Sequence, residues 1–462
     1  MYPKIVFIGA GSFIFARKII MDILHFPELS ESQLVLMDID AERLKISEKI
    51  SHQILSLVAN RIEVSATTDL NQALLGADFV LAMFEPHGLQ GRKIEVEVPL
   101  AYGVPQAVGD TLGPGGIFKG IRTATEMLKI ARSMESLCPD ALLMNYVNPM
   151  AVNCWAVNQL TSIRCVGMCH GLSHTLTRLA YYLDLPDELE SRAAGINHMC
   201  WLLTLTHQGK DVYPALWQRV EDCCEDDPIR FSLMKAFGYF VTESPYHMAE
   251  YVPYFTKRFA DLKVHAQEQS DLNRSMCGWT GPIIQPSEGT GSRVETKIPK
   301  AWDIQLYEGL HQVTYQQELD RLAKGQTPPL RLSEEYAARI LSSIISGRPR
   351  KMSLNVPNHG LIENLPGGCT VEVPTYVDGQ GLHPEGIGAL PNQCAALCRR
   401  NVDVQSLTVQ ALAEKNPELV FHALLLDPLT GASLEPNQIR ALFDDLIKTL
   451  GNKLPNWLRQ IT

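Results

Sequence analysis

The run Lys4-Ile5-Val6-Phe7-Ile8, broken at once by Gly9-Ala10-Gly11-Ser12, restricts this chain more than any other stretch. It is apolar, partly β-branched and too short for a stable helix, so it reads as a buried strand that Gly9 stops. A helical pattern runs from Phe13 to about His25, and a second strand from Gln33 to Met37 ends at Asp38-Ile39-Asp40. An amphipathic helix from Ala41 to Ala59, a strand from Ile62 to Ser65, a brief helix from Leu70 to Gly76 and a strand from Asp78 to Phe84 follow. Alternation at this spacing builds a doubly wound parallel sheet. In such a sheet Gly9 makes the sharp turn and Gly11 lets a pyrophosphate approach the backbone. The helix N-terminus behind Ser12 then supplies N–H donors and partial positive charge. Ile14 stands where the usual third glycine falls. Asp38, ending the second strand, can accept ribose hydroxyls and repel a 2′-phosphate, which favours NAD over NADP. A turn glycine in an unrelated α/β sheet is the competing reading.

Composition removes several alternatives. The chain has 462 residues, 45% of them hydrophobic and 20% charged, a globular balance whose length allows about two to three domains. A formal charge of −10 without a basic patch argues against nucleic acid or an anionic membrane as partner. No segment has the length and apolarity of a membrane span or the pattern of a signal peptide, so a cytoplasmic location is expected. The 11 Cys are odd in number and scattered without a framework spacing, as in a reduced protein.

Between Asn145 and Met199 three polar clusters follow apolar runs: Asn145-Tyr146-Val147-Asn148-Pro149, Cys169-His170-Gly171 and Gly195-Ile196-Asn197-His198-Met199. Strands from Ala141 to Tyr146 and from Ile163 to Met168 put the first two at strand carboxyl ends, the ligand edge of an open α/β sheet. A thiol and imidazoles so close in sequence are a ligand set for a divalent transition metal. A buried Cys and a satisfied core His would read alike. Two further loops lie on the expected ligand edge, Glu85 to Arg92 and the glycine-rich Gly109 to Gly116. The helix after the second, from Ile117 to about Ser136, is expected to start on free N–H groups that cradle a substrate oxygen.

The second half is mixed. It shows a strand from Leu202 to Thr206, a helix from Pro228 to Tyr239 and a segment dense in polar and aromatic groups from Thr242 to Phe255. A polar stretch from Asp261 to Pro329 carries an expected loop around Ser287 to Glu295. A helix from Glu334 to Ser346, a loop from Asn355 to Pro366, a strand from Cys369 to Pro374 and a largely helical tail from Val402 to Leu450 complete the chain. The expected fold class is α/β. A Rossmann-like doubly wound domain spans 1–195, and a mixed α+β domain for substrate, metal and oligomerisation spans 196–462.

In this order the motifs resemble glycoside hydrolase family 4, closest to its α-galactosidase (melibiase) branch. The resemblance rests on Phe7 to Ser12, Met37 to Asp40, Asp110 to Gly116, Asn145 to Met150, Cys169-His170, Gly195 to Met199, Glu250-Tyr251 with Pro253, Asn355 to Pro366 and Cys369 to Val373. It implies NAD and a divalent metal, usually Mn2+, as cofactors, with Cys169 and His198 as metal ligands. It further implies Asn148 against the substrate, His170 as proton donor and Tyr251 as general base. Asp110 is a candidate for a sugar hydroxyl, and His247 for support of Tyr251. The implied reaction oxidises C3 of an α-galactoside, deprotonates C2, eliminates the aglycone, adds water and re-reduces C3; this family is an exception to the two-carboxylate scheme. A tyrosine base needs its pKa lowered from near 10, which an adjacent cation can do. The resemblance also implies a small-molecule glycoside as partner and a homo-oligomer, dimer or tetramer. Two positions depart from the branch: Gly171 replaces a Ser, and Pro86-His87-Gly88-Leu89-Gln90 replaces a Gly-Gly-Tyr type of loop. Other activities stay open: an α-galacturonidase or α-glucuronidase with Arg92 or Lys93 meeting a C6 carboxylate, an α-glucosidase, an NAD-dependent hydroxy-acid dehydrogenase, or an NAD sensor without turnover.

Overall fold

A computed structural model of the chain describes residues 2–185, 189–224, 226–256, 304–326 and 329–460. The expected loop around Ser287 to Glu295 lies outside them. The described strands, in chain order, are β1 Lys4–Ile8, β2 Gln33–Met37, β3 Glu63–Thr67, β4 Phe79–Ala82, β5 Leu142–Asn145, β6 Cys165–Met168, β7 Glu190–Ile196, β8 Met199–His207, β9 Lys210–Asp211, β10 Arg350–Pro357, β11 Thr370–Asp378 and β12 Gly381–Pro384. They form one sheet in the order β3-β2-β1-β4-β5-β6-β10-β11-β7-β8-β9, with β12 paired to β11.

The first six strands run parallel. Period-2 alternation along them feeds two cores, one on each face. Ile5, Phe7, Leu34, Leu36, Phe79 and Leu81 enter one core; Val6, Ile8, Val35, Met37, Val80 and Ala82 enter the other. A parallel sheet covered on both faces needs such continuous apolar strands. The helices Phe13–Ile23 and Ala41–Leu55 cover the first face. The long helix Gly113–Leu137 contributes to both cores.

From β6 onward the sheet turns antiparallel. Leu354 and Asn355 of β10 pair with Met168 and Gly167 of β6, and β11, β7, β8 and β9 add in alternating direction. The strand β10 takes the first three residues of the expected loop at Asn355 to Pro366: Asn355 pairs with both β6 and β11, and Val356 and Pro357 pair with β11. Pro357 is tolerated because it closes the strand rather than interrupting it. The boundary expected at residue 195 falls inside β7, and the sheet runs through it without a break. Helices Asn392–Glu414, Pro417–Leu426, Pro428–Ser433 and Pro436–Leu450 cap the molecule, with Phe443 packed on Phe118. No described helix is long and apolar enough to cross a membrane.

Candidate active site

The carboxyl ends of β1, β4, β5 and β6 finish at one level, since Ile8 pairs with Ala82, Ala82 with Asn145, and Asn145 with Gly167. The loops leaving these strands therefore share the edge where open α/β sheets bind ligands. Phe15, in the helix after the Gly9 loop, packs its ring edge-on against Tyr146, 4.8 Å between centroids, and so joins that loop to the Asn148 corner.

Gly9 has φ +88°, and a Cβ on it would stand 2.7 Å from the Phe84 backbone, so only glycine fits. The Gly11 N–H donates to Asp38 Oδ2 at 2.7 Å, and the Asp40 N–H donates to the other oxygen at 2.9 Å. Asp38 thus ties the loop to the second strand as well as offering its remaining lone pairs outward. The helix Phe13–Ile23 has no acid in its first turn, and Ser12 gives it no side-chain cap. That leaves its terminal N–H groups available to an anion. The loop, its glycines and the uncapped helix fit a dinucleotide pyrophosphate.

Cys169 leaves β6, His198 sits in the tight turn between β7 and β8, and Glu243 precedes the helix Pro245–Tyr251. The donor atoms of these three residues all lie within 4.8 Å of one another. His198 and Glu243 both adopt left-handed backbone, φ +64° and +80°, a conformation that costs a side-chain-bearing residue about 1 kcal/mol or more. Burial, then Glu372 and Glu243, push the Cys169 thiol well above its ordinary value, so its thiolate form calls for a cation beside it. The Gly171 N–H already points at Cys169 Sγ, at 3.4 Å. A thiolate, an imidazole and a carboxylate at this spacing fit a divalent transition ion.

A relay orients His198. Its Nδ1 lies 2.8 Å from His247 Nε2, and His247 Nδ1 lies 2.8 Å from Glu250 Oε2. Glu250 Oε1 accepts the N–H groups of Val108 and Gly109, each at 3.0 Å. Burial opposes the charge of His247, yet Glu250 and Glu243 raise it to about 9, while burial lowers His198. Burial favours a neutral His198, and a metal on its Nε2 requires the His198 proton on Nδ1, given to the Nε2 of a neutral His247. Its Nε2 is the nitrogen turned toward Glu243, 3.7 Å from Oε2.

The other expected residues gather around this centre. Asn148 Nδ2 donates to Asp110 Oδ2 at 3.2 Å, while Asn148 Oδ1 is buried without a partner among the described residues. Burial works against Asp110, but Lys119, His247 and Arg92 hold its carboxyl well below the ordinary value. His170 caps the helix Gly171–Tyr182, with Nδ1 3.3 Å from Glu335 Oε1, which also accepts Lys18 Nζ at 2.8 Å. Burial disfavours the imidazolium, yet Glu335 raises the pKa of His170, which suits a proton donor. Tyr251 is 1% exposed, and its hydroxyl donates to the Asn197 carbonyl at 3.1 Å. Burial and then the charges of Glu243, Glu250 and Asp110 raise it well above 10, so a phenolate there needs a neighbouring cation.

One expectation fails. The helix after the glycine-rich loop starts at Gly113, not Ile117, and its first N–H groups are taken. Gly113 donates to Asp427 Oδ1 at 3.1 Å and Gly115 to Gln106 Oε1 at 2.9 Å. They cradle the chain's own side chains rather than a substrate oxygen. Sequence reasoning also missed Glu243, Glu335 and Glu372. Glu372 lies in a polar row across the sheet, Gly167–Asn355–Glu372–Gly195, and burial raises its carboxyl to about 7. The only signal for Glu243 was the polar and aromatic density of its segment. Glu335 and Glu372 meet the site only through pairing across long sequence distances.

Family models match both halves of the chain, and relatives match nearly all of it. The model of family 4 glycosyl hydrolases matches residues 4–185, and that of the family 4 C-terminal domain matches residues 193–430. An alpha-galactosidase from Bacillus subtilis (strain 168) is 34% identical over 460 residues, covering 98% of this chain and 99% of the relative. One from Rhizobium meliloti (strain 1021) is 32% identical over 464 residues, covering 99% of this chain and 90% of the relative. The fold is shared with a 6-phospho-alpha-glucosidase from gut microorganisms solved in complex with NAD and Mn2+. Its TM-score is 0.78 at 19% identity, over 98% of this chain and 99% of that one. With both halves matched by the family models and full-length relatives on either side, the chain belongs to family 4 of the glycosyl hydrolases.

Proposed function

We propose that this protein is an NAD- and Mn2+-dependent α-galactosidase. The observation that carries the reading is the meeting of Cys169 and His198 on the edge that also holds the Gly9 loop and the Asn148 corner. The full-length identity to two alpha-galactosidases supports the sugar. Cys169 and His198 would hold the metal, and Gly9, Gly11, Ser12 and Asp38 the dinucleotide. When bound, the nicotinamide accepts and returns a hydride at C3 of the sugar, and the metal acidifies the neighbouring C2 proton.

The chain's own residues do the rest. Asn148 and Asp110, joined by their hydrogen bond, offer Oδ1 and carboxylate oxygens to sugar hydroxyls. Tyr251 Oη takes the C2 proton as the phenolate, and its bond to the Asn197 carbonyl belongs to the protonated form. His170, kept protonated by Glu335, hands a proton to the departing glycosidic oxygen. Burial of Cys169, His198 and Tyr251 limits water at the reacting carbons. A homo-oligomer, dimer or tetramer, and a cytoplasmic location belong to the same proposal; light scattering of the purified chain tests the first.

The test is a panel of nitrophenyl α-glycosides with NAD+, Mn2+ and a thiol reductant. The α-galactoside should be the best substrate, with no net NADH at steady state and solvent deuterium appearing at C2 of the product. A uronide or glucoside hydrolysed faster would move the substrate within the family. NADH that accumulates with turnover would point to a dehydrogenase. Hydrolysis without exchange at C2 would remove Tyr251 as base.

A further inference from the structure

Gly171 follows Cys169-His170, and the structure gives a physical reason for a glycine there. A Cβ on Gly171 would stand 2.7 Å from Glu243 Oε2 and 3.4 Å from Cys169 Sγ. The volume that a side chain would fill is held by the Glu243 carboxylate. That carboxylate is reached through a strained backbone, φ +80°, which also turns it toward His198 Nε2. The imidazoles of His198, His247 and His170 favour its charge, and Glu372 lies near enough to interact with it as well.

We infer that Glu243 is a third protein ligand of the divalent cation, and that Gly171 is the position that admits it. The inference deepens the metal reading given above and rests on it. Cys169 and His198 alone are a soft and a borderline donor, a pair that suits zinc better than manganese. A carboxylate oxygen is a hard donor and moves the preference toward Mn2+. It also balances charge: a thiolate and a carboxylate together neutralise a divalent ion, where the thiolate alone leaves one positive charge in a buried site. Three protein ligands still leave open positions for substrate oxygens, as in catalytic metal sites generally.

Metal binding to the full chain without substrate tests this apart from activity. Free Mn2+ is followed by electron paramagnetic resonance, and Zn2+ competition gives the preference. Glu243→Gln keeps the shape and removes the charge; Glu243→Ala guards against a single uninformative variant; circular dichroism confirms folding. The expected result is Mn2+ affinity at least about 10-fold weaker in both variants, with a smaller loss for Zn2+, so that the ratio of Mn2+ to Zn2+ affinity falls. Gly171→Ser should weaken Mn2+ binding as well, and the double variant with Glu243→Gln should be no worse than Glu243→Gln alone, since both act through one carboxylate. Equal affinities of wild type and Glu243 variants for both metals would overturn the ligand role. A Gly171→Ser chain that binds Mn2+ like wild type would overturn the assignment to Gly171. A folded wild type that binds no Mn2+ would overturn the metal reading itself, and the inference with it.

Discussion

At the scale of single residues the site works by neighbours that set charge. Burial, and then the charges of Glu243, Glu250 and Asp110, keep the proton on Tyr251 unless a cation offsets them. Tyr251→Phe removes the proposed base while losing only one hydrogen bond to Asn197, worth about 1 kcal/mol. The expected outcome is a kcat at least about 100-fold lower, with parallel loss of C2 exchange and a melting temperature close to wild type. A kcat near wild type would exclude Tyr251 from the proton transfer. His247 and Glu250 act one step away, through the ring of His198. His247→Asn or Glu250→Gln should weaken Mn2+ binding by about 10–100-fold in calorimetric titration. Binding unchanged in both variants would mean that the relay only packs the core.

At the scale of elements, two turns carry the design. In the first, Gly9 between β1 and the helix Phe13–Ile23 is left-handed and 2.7 Å, by its missing Cβ, from Phe84. Gly9→Ala should destabilise the chain by about 1–3 kcal/mol and abolish NAD+ binding in a fluorescence titration. Wild-type NAD+ affinity in that variant would show that the turn tolerates a side chain. In the second, Asp427 caps both the start of the helix Gly113–Leu137 and its own helix, accepting from Gly113 and from Thr430 N at 2.8 Å. Burial raises its carboxyl from 3.8 to about 6, against these hydrogen bonds. The folded chain therefore holds this proton more tightly than the unfolded chain. Its contribution to stability is full below the ordinary carboxylate value and falls as pH rises through about 6. Relative to Asp427→Asn, which does not titrate, wild type should lose on the order of 2 kcal/mol between about pH 4 and pH 7. A pH-independent difference in denaturant midpoint would show that Asp427 does not titrate there.

At the scale of the whole molecule, the continuous sheet decides behaviour. β10 comes from residues 350–357 yet pairs with β6, and β11 hands the sheet on to β7. Thr370 also donates to the carbonyl of Ala151, 219 residues away in sequence. The largest core cluster draws on both halves, while a second is built from residues 6–169 alone. Equilibrium unfolding in urea should show one transition, coincident by far-ultraviolet circular dichroism and tryptophan fluorescence. Two separated transitions would mean that the sequence halves fold as independent units.

The local pattern of this chain already determined the nucleotide half. The strand Lys4–Ile8 and the turn at Gly9 follow from alternating burial and from steric limits on φ along the chain, so they can be read from the sequence, whereas the fit of Gly9 against Phe84 and of Gly11 against Asp38 is made through space. Cys169 and His198 were legible as ligand types, and Asn148 as a strand-end residue. Their meeting was not legible, because it depends on the register of β6 and β7 across inserted strands from residues 350–378. Glu243, Glu335 and Glu372 carry no local mark, since a glutamate is ordinary on a surface and becomes chemical only when folding buries it beside a thiol or an imidazole. The start of the helix at Gly113 was misplaced for the same reason: Asp427, more than 300 residues away, supplies the cap. Short-range sterics and periodicity act along the chain, whereas charge and coordination act through space, and only the tertiary structure decides which residues share that space.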